Sequence, residues 1–486
     1  MAGLARLHGS GRRGPEWLQA PTARIHPRAV AHAVVGLWAA GGDRDWLRPL
    51  LLLFLCKQLL LVALFGAFTG HDEVDHYWYI ARIGAGDGLG VVGEVTLPPE
   101  TRPYRGYVAD YPNNAEVIQP PLYHAVLAPL WRVLHGGAID RLFVLRLFSV
   151  ALGLGVVWIA YLTAKMLFPE SPFLRAGVPL FVAFQPQLSF EAAIVNHDIL
   201  VIALFSLLMY VLLKGLGSGF STRREIAVGL VTAAGLWTKL SFGLAIPVIV
   251  LAVVWTWWDN RRRWGDAVWA LHWLVGSLFL TVAVPLLLIS PWFLRSFWLY
   301  GDPTGSQRLR QIQEFGNSAS TYQEMFTTPA FWRERLEDFW GNYGWRNIPY
   351  DAGFSQVIWV VWGLAVALGV FLVAREILAR PFGWPPLLSR NQVRGMTVVA
   401  TSVGMLAFGV LYVGTIQFTQ SRFIFPAMIG VALISLLGID RFLPPRARPV
   451  ATPVLLAVLM VFNVVALVRF VIPFYYGPGG GGVLLP

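Results

Sequence analysis

Long apolar stretches recur along most of the chain, separated by short polar segments. Within each stretch the apolar residues follow one another and do not alternate at the period of two typical of a half-buried strand. A helix needs about 20 such residues to cross the hydrocarbon core of a bilayer. The pattern predicts membrane-spanning helices at residues 50–68, 142–164, 177–190, 196–213, 225–239, 242–257, 267–292, 354–374, 395–415, 423–438 and 451–472.

One further apolar stretch, residues 120–134, is short and begins with paired prolines. If it crosses the bilayer fully, the Lys and Arg clusters that follow it fall outside the cell. If it dips into the bilayer or lies in the outer leaflet, those clusters fall on the cytoplasmic side, as the positive-inside rule requires. The second path places the N-terminus in the cytoplasm and segments 69–119 and 295–353 on the outer side. The prediction is therefore 11–12 spans, depending on residues 120–134.

This topology predicts an all-α polytopic membrane protein with five parts. They are an Arg-rich cytoplasmic segment at 1–49, a transmembrane module at 50–294 that includes the first outer loop, a second outer loop at 295–353, C-terminal transmembrane helices at 354–472 and a Gly-rich tail at 473–486. Loops as long as these two are uncommon unless they carry structure or function. Their aromatic residues predict short interfacial helices.

Composition supports a membrane protein and excludes several other classes. Hydrophobic residues make up 56% of the 486 and charged residues 13%, against roughly 25% charged in soluble domains. The net charge of +11 would suit a nucleic-acid binder, but the arginines cluster between apolar runs and not on one basic helix. We therefore expect no nucleic-acid partner. The single cysteine, Cys56, allows no internal disulfide. We expect no signal peptide, because the first strongly apolar run begins only at Leu50.

Directly after the first predicted span comes the run HDEVDHYWYI, which contains Asp72, Glu73, Asp75 and His76. Ionisable residues where a chain leaves the bilayer indicate a functional site. In a helix, Asp72, Asp75 and His76 would share one face, because residues three and four apart are neighbours. The alternative is an ordinary solvated charge cluster.

Four further polar clusters fall on the same predicted side. They are Tyr123 and His124 in QPPLYH, then Asn196, His197 and Asp198 after Glu191, then Lys239 in WTKLS, and Arg422 in SRFIFP. Asn196 suits a helix cap, Lys239 could reach lipid headgroups, and Arg422 could anchor a helix at the interface. The functional alternative for Lys239 and Arg422 is contact with a phosphate, which Arg binds as a fork.

The order of these strings resembles the GT-C superfamily of polytopic glycosyltransferases. The resemblance rests on the acidic pair and histidine after the first span, then QPPLYH, LRLFSVALG at 145–153 and NHD. Members such as protein O-mannosyltransferases and aminoarabinose transferases use polyprenyl-phosphate sugars. The later strings SPWFLRSFWLYGDP, FWGNYGW and SRFIFP are similar to an uncharacterised bacterial branch of the superfamily.

The resemblance implies an enzyme of the plasma (inner) membrane. It would transfer a sugar from a polyprenyl-phosphate donor to a protein, lipid or glycan acceptor at the outer face. In the superfamily the acidic residue after the first span acts as the catalytic base or lies beside it, and this role maps onto Asp72, with Glu73 as the adjacent candidate. A second acidic residue on another outer loop maps onto Asp198. The Asn-His-Asp string departs from the protein O-mannosyltransferase pattern, so the acceptor class stays open.

The chemistry of such a transfer assigns roles to the other candidates. Lys239 and Arg422 would neutralise the leaving phosphate, and direct attack implies inversion. The residues His76, Tyr123, His124, Asn196 and His197 would bind donor or acceptor. Because the two cations already neutralise phosphate, we expect no obligatory metal. If one binds, we expect Mg²⁺ or Mn²⁺ at Asp72, Asp75 and His76.

Two other functions remain open on the sequence. A transporter or flippase for lipid-linked sugars would need polar residues along a path through the bilayer, and here Lys57 is the chief polar residue deep in a predicted span. Arg469 in the last span is expected to reach an interface. A non-catalytic membrane scaffold of the same fold is the third possibility.

Overall fold

The computed structural model describes residues 43–97, 114–261, 266–311 and 319–478. Helices dominate these residues, and the only sheet within them has two strands of two residues each. The predicted all-α class is confirmed. Most of the predicted cytoplasmic segment 1–49, part of the first outer loop and the end of the Gly-rich tail lie outside the described residues.

The helices follow the apolar runs of the sequence. In chain order they are α1 (Asp43–Leu64), α2 (Glu73–Ala85), α3 (Leu122–Val133), α4 (Ala138–Leu167), α5 (Pro172–Phe184), α6 (Pro186–Glu191), α7 (Asp198–Ser218), α8 (Thr222–Thr238), α9 (Ile246–Asn260), α10 (Ala267–Leu278), α11 (Val284–Tyr300), α12 (Ser306–Gln311), α13 (Tyr322–Thr327), α14 (Pro329–Trp340), α15 (Ala352–Phe382), α16 (Arg390–Gly414), α17 (Met428–Phe442), α18 (Arg448–Ala466) and α19 (Ile472–Tyr476).

Short segments of other helical geometry complete this framework. Three 3-10 helices, Ala115–Ile118, Leu240–Ala245 and Ser421–Ala427, precede α3, α9 and α17. Two π-helical segments, Phe279–Ala283 and Leu467–Val471, join α10 to α11 and α18 to α19. The 3-10 helices at 240–245 and 421–427 and the two π-helical segments are continuous with their neighbouring α-helices, which gives four long helices, Leu240–Asn260, Ala267–Tyr300, Ser421–Phe442 and Arg448–Tyr476.

Nine helices within the described residues are long and apolar enough to cross a membrane. Two of the eleven predicted spans are shorter than this. The stretch 177–190 is divided between α5 and α6, because Gln185 ends one helix and caps the next, and α8 has 17 residues. The predicted spans therefore all have helical counterparts, but not all of these helices have full spanning length.

Helix α3 settles the conformation of residues 120–134. It has 12 residues, which at 1.5 Å per residue give a length of about 18 Å. This is well short of the roughly 30 Å hydrocarbon core, and α3 packs against α2. Helix α3 is therefore too short to cross the hydrocarbon core by itself, and the path of this stretch relative to the bilayer stays a prediction.

The close approach of α15 and α17 depends on glycine. A Cβ on Gly369 would lie 1.8 Å from the carbonyl oxygen of Ile434, and one on Gly438 would lie 2.9 Å from the backbone nitrogen of Gly369. No side chain fits in that space, so the two backbones meet directly. Small residues permit this kind of packing between membrane helices.

The arginine-rich loops meet at one end of the helices. Asp259, which ends α9, accepts from Arg390 at 2.8 Å and lies 3.1 Å from Arg394. Ser171 before α5 donates to Asp440 of α17 at 2.6 Å. The predicted polar clusters lie at the opposite ends of the same helices. The arginine-rich loops and the candidate site residues are therefore a helix length apart.

Segment 295–353 carries structure of its own, as expected of a long functional loop. It forms α12, α13, α14 and a two-stranded ribbon that pairs Asn342 with Pro349. The ribbon was not predicted. The backbone N–H of Asn342 donates to Gln187 Oε1 at 3.0 Å, and Ser421 donates to the carbonyl of Arg335 at 2.5 Å. These bonds dock the loop onto α6 and onto the 3-10 helix before α17.

Candidate functional site

Two carboxylates and two cations from four separate segments form one charged network. Arg422 Nη2 lies 2.5 Å from Asp72 Oδ2, and Arg422 Nη1 lies 3.6 Å from Asp198 Oδ2. Lys239 Nζ lies 2.5 Å from the other oxygen of Asp198. All four side chains are largely buried but still reached by solvent, at 7–17% exposure. The two negative and two positive charges of the network balance. An anionic ligand that binds Lys239 or Arg422 would therefore replace one of the carboxylates as the partner of that cation.

Each member of this network stands where a helix begins or ends. Asp72 precedes α2, Asp198 begins α7, Lys239 follows α8, and Arg422 lies in the 3-10 helix that leads into α17. The alternating direction of successive helices brings these termini to one end of the molecule. Side chains that are far apart in the sequence therefore meet because each one ends an apolar helix.

The backbone of Asp72 is left-handed, with φ 51° and ψ 11°. Only a few per cent of residues other than glycine have positive φ, and aspartate is one of the types enriched there. Its carboxylate makes no capping bond to α2 and bonds to Arg422 instead. The left-handed turn thus directs the carboxylate into the network and away from the helix that it precedes.

Glu73, the next residue, has a different environment. It is fully buried, and Arg146 of α4 donates to both of its oxygens, at 2.8 and 2.7 Å. The backbone N–H of Val195 donates to Oε1 at 2.9 Å. Arg146 also donates to the carbonyls of Val62, Phe65 and Gly66. This ion pair ties three segments together and lies apart from the charged network.

The side chain of Asn196 is hydrogen-bonded at both ends. Its Oδ1 accepts from the backbone N–H of Asp198 at 2.7 Å, and its Nδ2 donates to Glu191 at 3.3 Å. Both ends of the amide are therefore engaged within the protein, and the side chain is buried. The geometry favours the capping role for Asn196 over direct contact with a ligand.

Three histidines gather beside the charged network. His76 of α2, His124 of α3 and His197 before α7 are all buried, and one ring nitrogen from each lies within 4.8 Å of the others. His76 Nδ1 and His124 Nε2 are 3.0 Å apart. Glu116 approaches the cluster, with Oε2 at 3.3 Å from His197 Nδ1 and 3.9 Å from His76 Nδ1.

Burial decides the protonation states in this cluster. It lowers the pKa of His197 to about 4 and the pKa values of His76 and His124 well below their usual range. Burial also raises the pKa of Glu116 to about 8, with help from the nearby charge of Asp72. Desolvation disfavours the charged form of each group. The imidazoles are therefore neutral and offer lone pairs.

Other sequence candidates occupy supporting positions. Tyr123 is buried, with its ring centroid 6.3 Å from that of His76, and the carbonyl of Asp75 accepts from Asn114 at 3.0 Å. Lys57 donates to Ser189 at 2.6 Å, inside the helix bundle. Arg469 reaches Asp351 at 2.8 Å, so it extends out of its span as expected.

Sequence reasoning missed two residues that organise this region. Glu116 lies near the end of the long first outer loop, and no spacing signal joins it to a histidine. Arg146 lies inside LRLFSVALG, where a charge within an apolar helix is itself a signal of pairing. Its partner was not identifiable, because 73 positions separate Arg146 from Glu73.

Comparison with known proteins gives a family match over part of the chain. Residues 119–289 match the family described as dolichyl-phosphate-mannose-protein mannosyltransferase. This stretch contains His124, Asn196, His197, Asp198 and Lys239. The match confirms the resemblance to GT-C glycosyltransferases that the sequence motifs indicated.

Other comparisons add less. No curated protein sequence shows a significant match. Among solved structures, the crystal structure of ArnT from Cupriavidus metallidurans bound to undecaprenyl phosphate is similar, with 18% sequence identity and a TM-score of 0.45. The alignment covers 83% of this chain but spans only 62% of that one.

Proposed function

We propose that this chain is a membrane glycosyltransferase that moves a sugar from a polyprenyl-phosphate donor to an acceptor hydroxyl at the outer face of the membrane. One observation carries the proposal: Asp72, Asp198, Lys239 and Arg422 meet in a single network at one end of the spanning helices. The family match supports a sugar donor carried on a polyprenyl phosphate. The acceptor would be a protein, lipid or glycan.

Asp72 is the base in this mechanism. Its carboxylate takes the proton of the acceptor hydroxyl as the oxygen attacks the anomeric carbon, and the bond to phosphate breaks on the opposite side with inversion. General-base help of this kind contributes roughly 10²–10⁴-fold. Asp72 is suited to the role because it is partly exposed and makes a single ion pair, to Arg422. Glu73 is not, because both its oxygens are occupied by Arg146.

Lys239 and Arg422 bind the leaving phosphate. A phosphate monoester leaves easily because its second pKa is about 6, so it needs positive charge more than it needs a proton. When the donor binds, its phosphate competes with Asp72 and Asp198 for the two cations. Release of Arg422 by Asp72 then frees the base in the same step that binds the donor. Asp198 keeps Lys239 in place.

The direct test uses the protein in proteoliposomes with a panel of polyprenyl-phosphate sugars and an extract of membrane acceptors. We expect release of polyprenyl phosphate together with labelled sugar in the acceptor fraction. The Asp72→Asn variant should lose this transfer, and Asp87→Asn, which removes an exposed carboxylate after α2, should keep it. Equal transfer by the two variants would contradict the assignment of the base.

The same vesicles test the transporter alternative. Lipid-linked sugar that crosses the bilayer without transfer to any acceptor would support a flippase and oppose the enzyme. The bonds of Lys57 argue against that outcome, since this deep charge is held by Ser189 and by the carbonyl of Ala183. A scaffold would neither transfer nor transport the sugar.

A further inference from the structure

In the histidine cluster beside the charged network, two hydrogen-bond acceptors face each other without a donor between them. His197 Nε2 lies 3.2 Å from Asp198 Oδ1, the oxygen that also contacts Lys239. An oxygen paired with an ammonium accepts hydrogen bonds, so Nε2 carries the hydrogen of the neutral ring. The lone pair of His197 Nδ1 then faces Glu116 Oε2 across 3.3 Å.

Two acceptors at that distance repel unless something positive lies between them. Both atoms are buried, and neither has a hydrogen-bond partner among the described residues. A buried acceptor without a donor is costly. Either a proton on Glu116 or a cation shared with the neighbouring imidazoles would resolve the repulsion.

We propose that His76, His124, His197 and Glu116 form a binding site for a divalent transition-metal ion, with Zn²⁺ the best match. Three neutral imidazole nitrogens and one carboxylate oxygen are the donor types that Zn²⁺ takes in four-coordinate sites. In a tetrahedral site with bonds near 2.0–2.1 Å, ligand atoms lie about 3.4 Å apart. The separations of 3.0 Å between His76 and His124 and 3.3 Å between His197 and Glu116 are close to this.

The remaining separations require small movements. The three imidazole nitrogens lie within 4.8 Å of one another, and of these histidines Glu116 contacts only His197 and His76. The side chains must therefore move by about 1.4 Å to reach the roughly 3.4 Å spacing of a tetrahedral shell. Burial favours the metal-binding form, because a transition metal binds neutral imidazole.

This site differs from the Mg²⁺ or Mn²⁺ site expected from the sequence. Of the predicted ligands Asp72, Asp75 and His76, only His76 belongs to the cluster. Mg²⁺ prefers oxygen ligands in an octahedral shell, and this cluster offers one carboxylate to three nitrogens. The donor set therefore selects a borderline-soft ion.

The ion would connect the fold to the charged network. Its ligands come from α2, from the 3-10 helix Ala115–Ile118, from α3 and from the turn before α7, so one ion holds four segments. The other nitrogen of His197 contacts Asp198, as a carboxylate commonly orients a metal-bound histidine. The site thus positions Asp198 without contacting the sugar. The proposal stands on these contacts and does not depend on glycosyl transfer.

Metal content provides the first test. The full chain, purified without a histidine tag and stripped with a chelator, is titrated with Zn²⁺, Co²⁺ and Mg²⁺ separately. We expect about one Zn²⁺ per chain by elemental analysis, a raised unfolding temperature, and visible Co²⁺ absorption typical of a tetrahedral site. No Zn²⁺ above the level of the controls, or equal stabilisation by Mg²⁺, would overturn the proposal.

Matched variants assign the ligands. His124→Ala and Glu116→Gln should each weaken Zn²⁺ binding by more than roughly 100-fold, beyond the range for changes next to a ligand. His135→Ala, which removes an exposed histidine after α3, should bind Zn²⁺ as the parent does. If His124→Ala fails to fold, Glu116→Gln carries the test, because it keeps the side-chain volume. A Glu116→Gln variant with unchanged Zn²⁺ affinity would show that Glu116 is not a ligand and would overturn the four-ligand site.

Discussion

Asp72 and Glu73 are adjacent carboxylates, and each is paired with an arginine, yet the two pairs have different surroundings. Arg146 and Glu73 are both fully buried, and the guanidinium also binds three backbone carbonyls. Arg422 is buried but Asp72 is partly exposed, and Arg422 is shared with Asp198. A pair with every partner in place holds segments together. A pair with a replaceable partner can exchange it for a ligand.

The largest effect is expected at the fully satisfied pair. Arg146→Ala leaves Glu73 as a buried carboxylate without its countercharge, which typically costs about 3–5 kcal/mol. We expect loss of the folded protein from membranes, or a strongly lowered unfolding temperature in detergent. A variant that remains as stable as the parent would show that the pair does not hold the fold.

Asp72→Asn should separate activity from stability. The transfer rate should fall by roughly 10²–10⁴-fold. The free energy of unfolding should fall by less than the roughly 3–5 kcal/mol that is typical of breaking a buried ion pair, because Asp72 itself is partly exposed. Arg422 keeps Asp198 as a partner, and asparagine tolerates the left-handed backbone. Initial transfer rates and thermal unfolding, measured on the same preparation, test the two expectations separately. A large loss of stability would place Asp72 with Glu73 as a structural residue.

Arg422→Lys should have a smaller effect, limited to the affinity for the polyprenyl-phosphate donor. Lysine keeps the charge but loses the fork that binds two oxygens at once. With a charged hydrogen bond contributing about 1.5–3 kcal/mol, donor affinity should fall by roughly tenfold or more. Binding of polyprenyl phosphate to the purified protein measures this directly. An unchanged affinity would mean that the phosphate lies elsewhere.

Asn196→Ala should have the smallest effect. Loss of this hydrogen bond costs about 1 kcal/mol, since the backbone N–H of Asp198 loses its acceptor at the start of α7. We expect slightly lower stability and unchanged affinity for polyprenyl phosphate, measured by thermal unfolding and by the same binding assay. A loss of affinity with normal stability would assign Asn196 to the ligand.

Much of the arrangement was predictable because hydrophobic runs determine where the chain turns. Lys239 and Arg422 each follow or precede an apolar helix, so the parity of the helices was enough to predict that they lie on the same side as Asp72. The positive-inside rule predicts that residues 120–134 do not cross the bilayer, and α3 has only 12 residues; the path itself stays a prediction.

Three features of the site could not be predicted from the sequence, each for a physical reason. The distinction between Asp72 and Glu73 depends on where α2 starts, and a shift of one residue would exchange their directions. Glu116 reaches the histidines from the short 3-10 helix Ala115–Ile118, which no hydrophobic periodicity in the sequence indicates. The three histidines lie in separate motifs, so no short spacing indicates a shared ion. The packing of α2 on α3 and the turn before α7 bring them together.

The left-handed backbone at Asp72 also limits which side chains could replace it. Aspartate, asparagine and glycine adopt that conformation at low cost, and glutamate does so less readily. A substitution that keeps the negative charge but adds a methylene would therefore be the harder one to accommodate. Asparagine at this position would remove the negative charge and keep the left-handed backbone. Glutamate would keep the charge but strain the turn, so the backbone conformation restricts the length of an acidic side chain here.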